Sequence, residues 1–261
     1  MVAKWSDISA NQLIDTATPS TNAIAVLPLG ATEAHGPHLP IGTDTILAER
    51  LLDQAEAVIE VNAVSMFRLP ALWLGASTEH ADQPGTVSCE AEQLISSVMV
   101  VAESVYRAGI RKLLLFNAHG GNISALNIAA LKVRRAYGLL AVPMHWLDFD
   151  LPETLAKLAS IREDVHGGWL ETSLMLYLAP EFVTMRNAEA NKPRQPSKQL
   201  YPNGPIQWGW MTSDLAEGGW VGQPELATAE IGRQLAQHIA SNVATLIREL
   251  SVCTWDGEPK E

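Results

Sequence analysis

The stretch Lys112-Leu113-Leu114-Leu115-Phe116-Asn117-Ala118-His119-Gly120-Gly121-Asn122, running on into Ile123–Tyr137, decides the fold. Lys112 to Phe116 reads as a continuous apolar strand, which breaks at the polar and glycine-rich 117–122 segment before a helical pattern begins. The same alternation extends in both directions. Upstream, Glu90 to Ala108 reads as a helix, with Leu94, Val98, Val101 and Val105 on one face and Gly109 as its stop. Ala63 to Leu69 and Ala23 to Leu27 read as strands. Thr45 to Val58 reads as a helix with Thr43 or Asp44 near its N-cap. Downstream come a strand over Leu139 to Trp146, a helix over Gly168 to Leu178, and an amphipathic helix over Pro224 to Leu250. The last carries Ile231, Leu235, Ile239 and Leu246 on its apolar side. Continuous apolar strands alternating with helices predict an α/β fold: three layers, α/β/α, with a mostly parallel central sheet covered on both faces.

The chain of 261 residues suits one large domain, expected to span 1–261. With 47% hydrophobic and 18% charged residues it can bury a core. Its formal net charge of -11 disfavours nucleic acid, because phosphates would be repelled. Cys89 and Cys253 form neither a C-x-x-C pair nor a disulfide framework, which fits a reducing compartment. Met1 to Asp7 lacks the basic flank and apolar stretch of a signal peptide. No apolar run reaches the ~18 residues of a membrane span. These features predict a soluble, cytoplasmic protein. From 187 to 222 the periodic pattern fails, and the segment is expected to be a long loop serving as a flap or an oligomer contact.

Polar clusters follow the strands or open the helices. The first lies in Gly30-Ala31-Thr32-Glu33-Ala34-His35-Gly36-Pro37-His38-Leu39-Pro40-Ile41-Gly42-Thr43-Asp44, and holds Glu33, His35, His38 and Asp44. The second holds His119 between Asn117 and Asn122, and the third holds His166 and Glu171. A parallel sheet brings the carboxyl ends of its strands to one edge, where such clusters converge. Glu, His and Asp are ligands for Zn²⁺, Mn²⁺ or Fe²⁺, and Asp44 has two oxygens with which to bridge two ions. The pattern therefore points to metal-assisted hydrolysis. Glu79, Trp169, Gly120 and Gly121 are candidates to line the substrate pocket, with Trp208, Trp210 and Trp220 further candidates to shape it. His80 and His145 are expected to be core or rim histidines. The chain has no G-x-S-x-G elbow, no Walker A loop, no G-x-G-x-x-G after a strand and no H-E-x-x-H.

Three of these segments in register resemble the signatures of the creatininase (creatinine amidohydrolase) family. They are Leu27-Pro28-Leu29-Gly30 with Glu33 to Pro40 and Thr43-Asp44, then Asn117 to Asn122, then His166-Gly167-Gly168-Trp169-Leu170-Glu171-Thr172-Ser173. The similarity runs from about Trp5 to Leu250. The resemblance implies an α/β/α fold, two divalent metal ions per chain (zinc, manganese or iron) and hydrolysis of a non-peptide C–N bond in a small molecule. It implies that Glu33, Asp44 and His119 hold one metal, that His35, Asp44 and a further carboxylate hold the other, and that His166 is the catalytic histidine. It also implies a homo-oligomer, with a hexamer plausible. Creatinine-hydrolysing members carry a glutamate ligand where this chain has Gly121, so Glu171 is the natural replacement and creatinine itself is a doubtful substrate. Two alternatives remain open: carbon–carbon or ring-opening hydrolysis of a sugar-derived ketone, and a non-catalytic metal-binding homologue.

Overall fold

The computed structural model describes residues 1–16, 22–60, 64–156, 163–197, 199–203, 206 and 208–259. Ile24–Leu29 is the strand at the centre of the molecule, here β2, and all six of its residues are buried. Its neighbours are β3 (Met66–Arg68) on one side and β4 (Lys112–Asn117) on the other. The edge strands are β1 (Val2–Lys4) and β5 (Leu140–His145), giving the order β1-β3-β2-β4-β5 with every pairing parallel. A strand buried on both faces has no polar side to show, so it reads as a solid apolar run. Alternate residues then serve two cores. Ile24, Val26, Leu114 and Phe116 face one, and Ala25, Leu27, Leu113 and Leu115 face the other.

The first core is covered by α2 (Thr43–Val58), α6 (Trp169–Leu178) and α8 (Ala229–Val252), through Leu47, Leu51, Leu174, Leu235 and Ile239. The second is covered by α3 (Ala91–Arg107) and α4 (Ile123–Tyr137), through Leu94, Val98, Leu126 and Val133. This is the three-layer arrangement read from the sequence. From β2 the chain crosses to β3 through α2 on one face. It then crosses back to β4 through α3 on the other. The loops at the carboxyl ends of β2 and β4 therefore diverge and leave a crevice between them, the usual place for a site in an open parallel sheet.

Several boundaries differ from expectation. Helix α2 starts at Thr43, with Gly42 at its N-cap, so Asp44 stands inside the first turn. Neither threonine hydroxyl caps the helix: Thr43 Oγ1 donates to the Pro40 carbonyl at 2.6 Å and Thr45 Oγ1 to that of Ala31 at 3.1 Å. Pro224–Leu226 forms a separate turn, and α8 begins only after Thr228, whose side chain accepts from the Ile231 N–H. The strand expected from Ala63 is reduced to Met66–Arg68, and Ala63 itself lies outside the described residues. The sequence reading missed β1 and the short helices α1 (Ala10–Thr16), α5 (Glu153–Ala156) and α7 (Thr212–Leu215). Helix α7 lies within the 187–222 segment, part of which is outside the described residues. No helix among the described residues is long and apolar enough to cross a membrane.

Candidate metal centre

At the carboxyl edge of the sheet, Leu29 of β2 lies beside Asn117 of β4, and Asn117 beside His145 of β5. The chain leaves β2 through the loop that carries Glu33 and His35, and Asp44 returns to the same point from the first turn of α2. His119 follows β4 by two residues. It is fixed there by Asn117, whose side-chain amide donates to the His119 carbonyl at 2.6 Å and whose Oδ1 accepts the His119 N–H. Asn122 ties the 117–122 loop to Gly30 and Ala76. His166 and Glu171 come from the segment that opens α6. His38 is not part of the cluster: its Nε2–H serves the Gly167 carbonyl at 2.9 Å and reaches Thr172 Oγ1 at 3.1 Å. Gly167 in turn donates its N–H to Glu171 Oε2 at 2.6 Å, so His38 positions the third motif against the first.

The polar atoms converge. His119 Nδ1 lies 3.2 Å from Glu33 Oε1 and 3.2 Å from Asp44 Oδ2. His35 Nε2 lies 3.2 Å from Asp44 Oδ1, so the two oxygens of Asp44 face two different imidazoles. Among the described residues, three sets of side chains bring ligand atoms within 4.8 Å of one another: Glu33, His35 and Asp44; His35, His166 and Glu171; and Glu33, His80 and His166. Glu33, His35, Asp44 and His80 are each 0–1% exposed, well beyond what lone charged side chains tolerate.

The hydrogen-bond directions give this cluster its chemical meaning. A carbonyl oxygen only accepts. His35 Nδ1 faces the Glu33 carbonyl at 3.1 Å, His119 Nε2 that of Ala76 at 3.1 Å, and His166 Nε2 that of Ala34 at 2.7 Å. Each neutral ring therefore carries its hydrogen on the outer nitrogen and turns a lone pair inward. The inner nitrogens meet carboxylate oxygens, which are also acceptors. Both oxygens of Glu33 and Oδ2 of Asp44 are buried with no hydrogen-bond donor. Buried carboxylates without donors cost several kcal/mol unless cations compensate them, on the order of what buried ions require. A nest of inward lone pairs with outer N–H groups tied to carbonyls is the arrangement that suits divalent metal ions.

The electrostatics show how strongly the cluster draws positive charge, whether from protons on its imidazoles or from cations. Burial presses His35 down, but the Asp44 carboxylate beside it carries its pKa up to about 10. His119 likewise rises well above the usual imidazole range, held there against burial by Glu33 and Asp44. Burial would raise Glu33, yet the neighbouring His119 and His80 hold its carboxyl well below the usual range. Burial pushes Glu171 up to about 7 and His80 down to about 4, and it lowers His166 strongly with help from the charges of His80 and His35.

A cavity of about 510 Å³ opens beside the cluster. Gly120 and Gly121 line it, as do Glu79, His145, Asp164, Trp208 and Trp210. Trp169 does not line it; it is 1% exposed and belongs to the core with Leu170 and Leu174. Trp220 packs on Gly36 and Gly218 and donates its indole N–H to the Glu189 carbonyl. The sequence reading placed His80 and His145 in the core or at the rim. The structure places His80 inside the cluster and His145 on the cavity wall. The signal for His80 was available, because Thr78-Glu79-His80 follows β3 and so reaches the same edge. Asp164, which accepts the N–H groups of Trp169 and Leu170 at the start of α6, was not singled out at all.

The family profile Creatininase: creatinine amidohydrolase matches residues 7–247. The chain belongs to the creatininase family. Among its relatives is the mycofactocin precursor peptide peptidase of Mycobacterium tuberculosis, 32% identical over 92% of this chain and 89% of the relative. The creatinine amidohydrolase of Pseudomonas putida is 25% identical over 87% of this chain and 90% of its own. The 3-dehydro-scyllo-inosose hydrolase of Thermotoga maritima is 24% identical over 87% and 77%. A crystal structure of creatinine amidohydrolase (creatininase) superposes with a TM-score of 0.78 at 21% identity, covering 96% of this chain and 98% of that one. The creatininase fold is thus shared along nearly the whole length, and this creatininase-family hydrolase carries groups of side chains suited to hold metal.

Proposed function

We propose that this chain is a metal-dependent amidohydrolase that cleaves a C–N bond in a small molecule such as a cyclic amide or a formamide. One observation carries the reading. Three imidazoles turn their outer nitrogens onto carbonyls and their inner nitrogens onto two buried carboxylates, of which both Glu33 oxygens and Asp44 Oδ2 have no donor. Glu33, Asp44 and His119 would hold one divalent ion, and His35, Asp44 and Glu171 would hold a second. Divalent cations bound there supply Lewis acidity, polarising a carbonyl and lowering the pKa of a water. His166 handles the proton. Its Nε2–H is committed to the Ala34 carbonyl and its low pKa leaves Nδ1 free. Nδ1 takes the proton released as water adds to the carbonyl and returns it to the departing nitrogen. Trp208 and Trp210 of the flap, with Glu79 and His145, surround the rest of the substrate.

Creatinine is a poor candidate, because no side chain fits at position 121 to supply the ligand that creatinine-hydrolysing members have. A second reading, hydrolysis of an amide within a peptide, is favoured by the 32% identity to a precursor peptide peptidase. The cavity is also of the size that accepts more than a small ring. We place the protein in the cytoplasm as a homo-oligomer. Its cysteines are free thiols, and Trp73 and Leu131 are large apolar side chains left exposed.

The test is metal content by plasma emission on the purified protein, with turnover of lactams, formamides and short peptide amides measured with and without added metal. The expected result is close to two ions per chain, at least one lost in Glu33→Gln and in His119→Ala, and metal-dependent hydrolysis in one substrate class. Less than one ion per chain in the wild type, with no change in either variant, would overturn the proposal.

A further inference from the structure

His80 has no role in the ligand sets above, yet its ring is only 1% exposed and stacks at 4.0 Å on His166. Its tautomer is fixed by an element distant in sequence. Thr212, the first residue of α7, donates its single hydroxyl hydrogen to the Glu79 carbonyl at 2.9 Å. The same oxygen lies 2.7 Å from His80 Nδ1. A hydroxyl has one proton, and it is already committed, so the hydrogen in this second contact belongs to Nδ1. In the neutral ring, Nε2 is then a bare lone pair. It faces Glu33 Oε1 at 3.5 Å, an oxygen that has no hydrogen-bond donor. His166 Nδ1, also a lone pair, lies 3.6 Å from that oxygen. Three acceptors thus point at one buried spot, which is favourable only around positive charge.

We propose that His80 Nε2 is a metal ligand sharing a cation with Glu33, and that Thr212 is the positioning residue that keeps the ring in the ligating tautomer. The inference rests on the metal-centre reading and extends it to the last residue of the Thr78–His80 turn and to the 187–222 flap. Through Thr212, α7 becomes part of the support of the centre, so the segment that walls the cavity also steadies a ligand. Outer partners of this kind typically change metal affinity by about 10–100-fold when removed.

The experiment uses the full-length protein loaded with Zn²⁺ or Co²⁺. Metal affinity is read by competition with a chromophoric chelator, stoichiometry by plasma emission, and coordination by the visible absorption of the cobalt form. His80→Ala is expected to weaken at least one ion by about 10–100-fold and to alter the cobalt spectrum. Thr212→Val is expected to weaken the same ion by about tenfold, and Thr212→Ser, which keeps the hydroxyl, to restore it. His80→Gln and the Thr212 pair carry the test should His80→Ala fail to fold. A His80 variant with wild-type stoichiometry, affinity and cobalt spectrum, alongside an Asp44→Asn control that does lose metal, would overturn the proposal and leave the metal centre standing. A wild-type protein that binds no metal would overturn both.

Discussion

A β-carbon added at Gly121 would lie 2.3 Å from the Ala76 carbonyl oxygen, 2.4 Å from Glu79 Oε1 and 2.5 Å from His119 Nε2. The space is filled by the neighbouring loop, with the Glu79 carboxylate reaching to 3.8 Å from His119 Nε2. The missing side chain in the second motif is therefore accommodated by packing as well as by sequence. Gly121→Ala is expected to destabilise the protein by about 1–3 kcal/mol, the usual cost of overpacking, and to weaken metal binding by displacing His119. Urea unfolding and metal affinity measured on the same variant check both effects. Unchanged values would mean that the 74–80 loop yields freely. At this scale much of the site was legible. Glu33, His35, Asp44 and His119 stand together as their positions after β2 and β4 suggest, and Glu171 reaches them through His35 and His166. His80 escaped because its one signal, a place downstream of β3, is shared by every residue of that loop, and its partners Thr212 and Glu33 are far away in sequence.

Elements meet most tightly where α6 crosses α8. A β-carbon on Gly232 of α8 would come 1.8 Å from the Ser173 carbonyl oxygen of α6, so glycine lets the two backbones touch. Thr228 at the start of α8 also donates its backbone N–H to Ser173 Oγ at 3.2 Å. Helix α6 carries Glu171 in its first turn, and the contact therefore sets the height of that carboxylate against His35. Gly232→Ala is expected to cost about 1–3 kcal/mol or more and to lower metal affinity, even though position 232 touches no candidate ligand. Thermal unfolding with a chelator titration tests this, and a variant as stable and as metal-avid as the wild type would refute it. The helices and strands with long apolar patterns, α3, α4 and β4, were legible almost to the residue. The errors lie where local chemistry competes with the pattern. Pro224 looks like a helix start, but the chain makes one separate turn before Thr228 caps α8. Thr43 looks like a cap, but its hydroxyl is used on Pro40. The strand β1 is too short for a period to show.

For the molecule as a whole, the central question is how a chain of net charge -11 buries Glu33 and Asp44, with Glu171 half-buried beside them, at one edge of its sheet. Among the described residues, no lysine or arginine is paired with these carboxylates; the ion-pair partners of Glu33 and Asp44 are imidazoles. Folding therefore gathers negative charge that only bound cations or protonated histidines offset. Cations that bind the folded chain and not the unfolded one stabilise it by about 2.7 kcal/mol per site when free metal is 100 times its dissociation constant. For a chain of this size each kcal/mol shifts the melting temperature by about 2–4 °C. Removing metal with a chelator at neutral pH is expected to lower the melting temperature by roughly 5–10 °C per site lost. Restoring Zn²⁺ or Mn²⁺ is expected to recover it, while Mg²⁺, which holds few imidazole ligands, recovers little. Calorimetry on dialysed and reloaded protein decides the matter. A melting temperature indifferent to chelation and reloading would mean that the histidines neutralise the cluster by themselves, and that the sheet edge was built as a proton-balanced network.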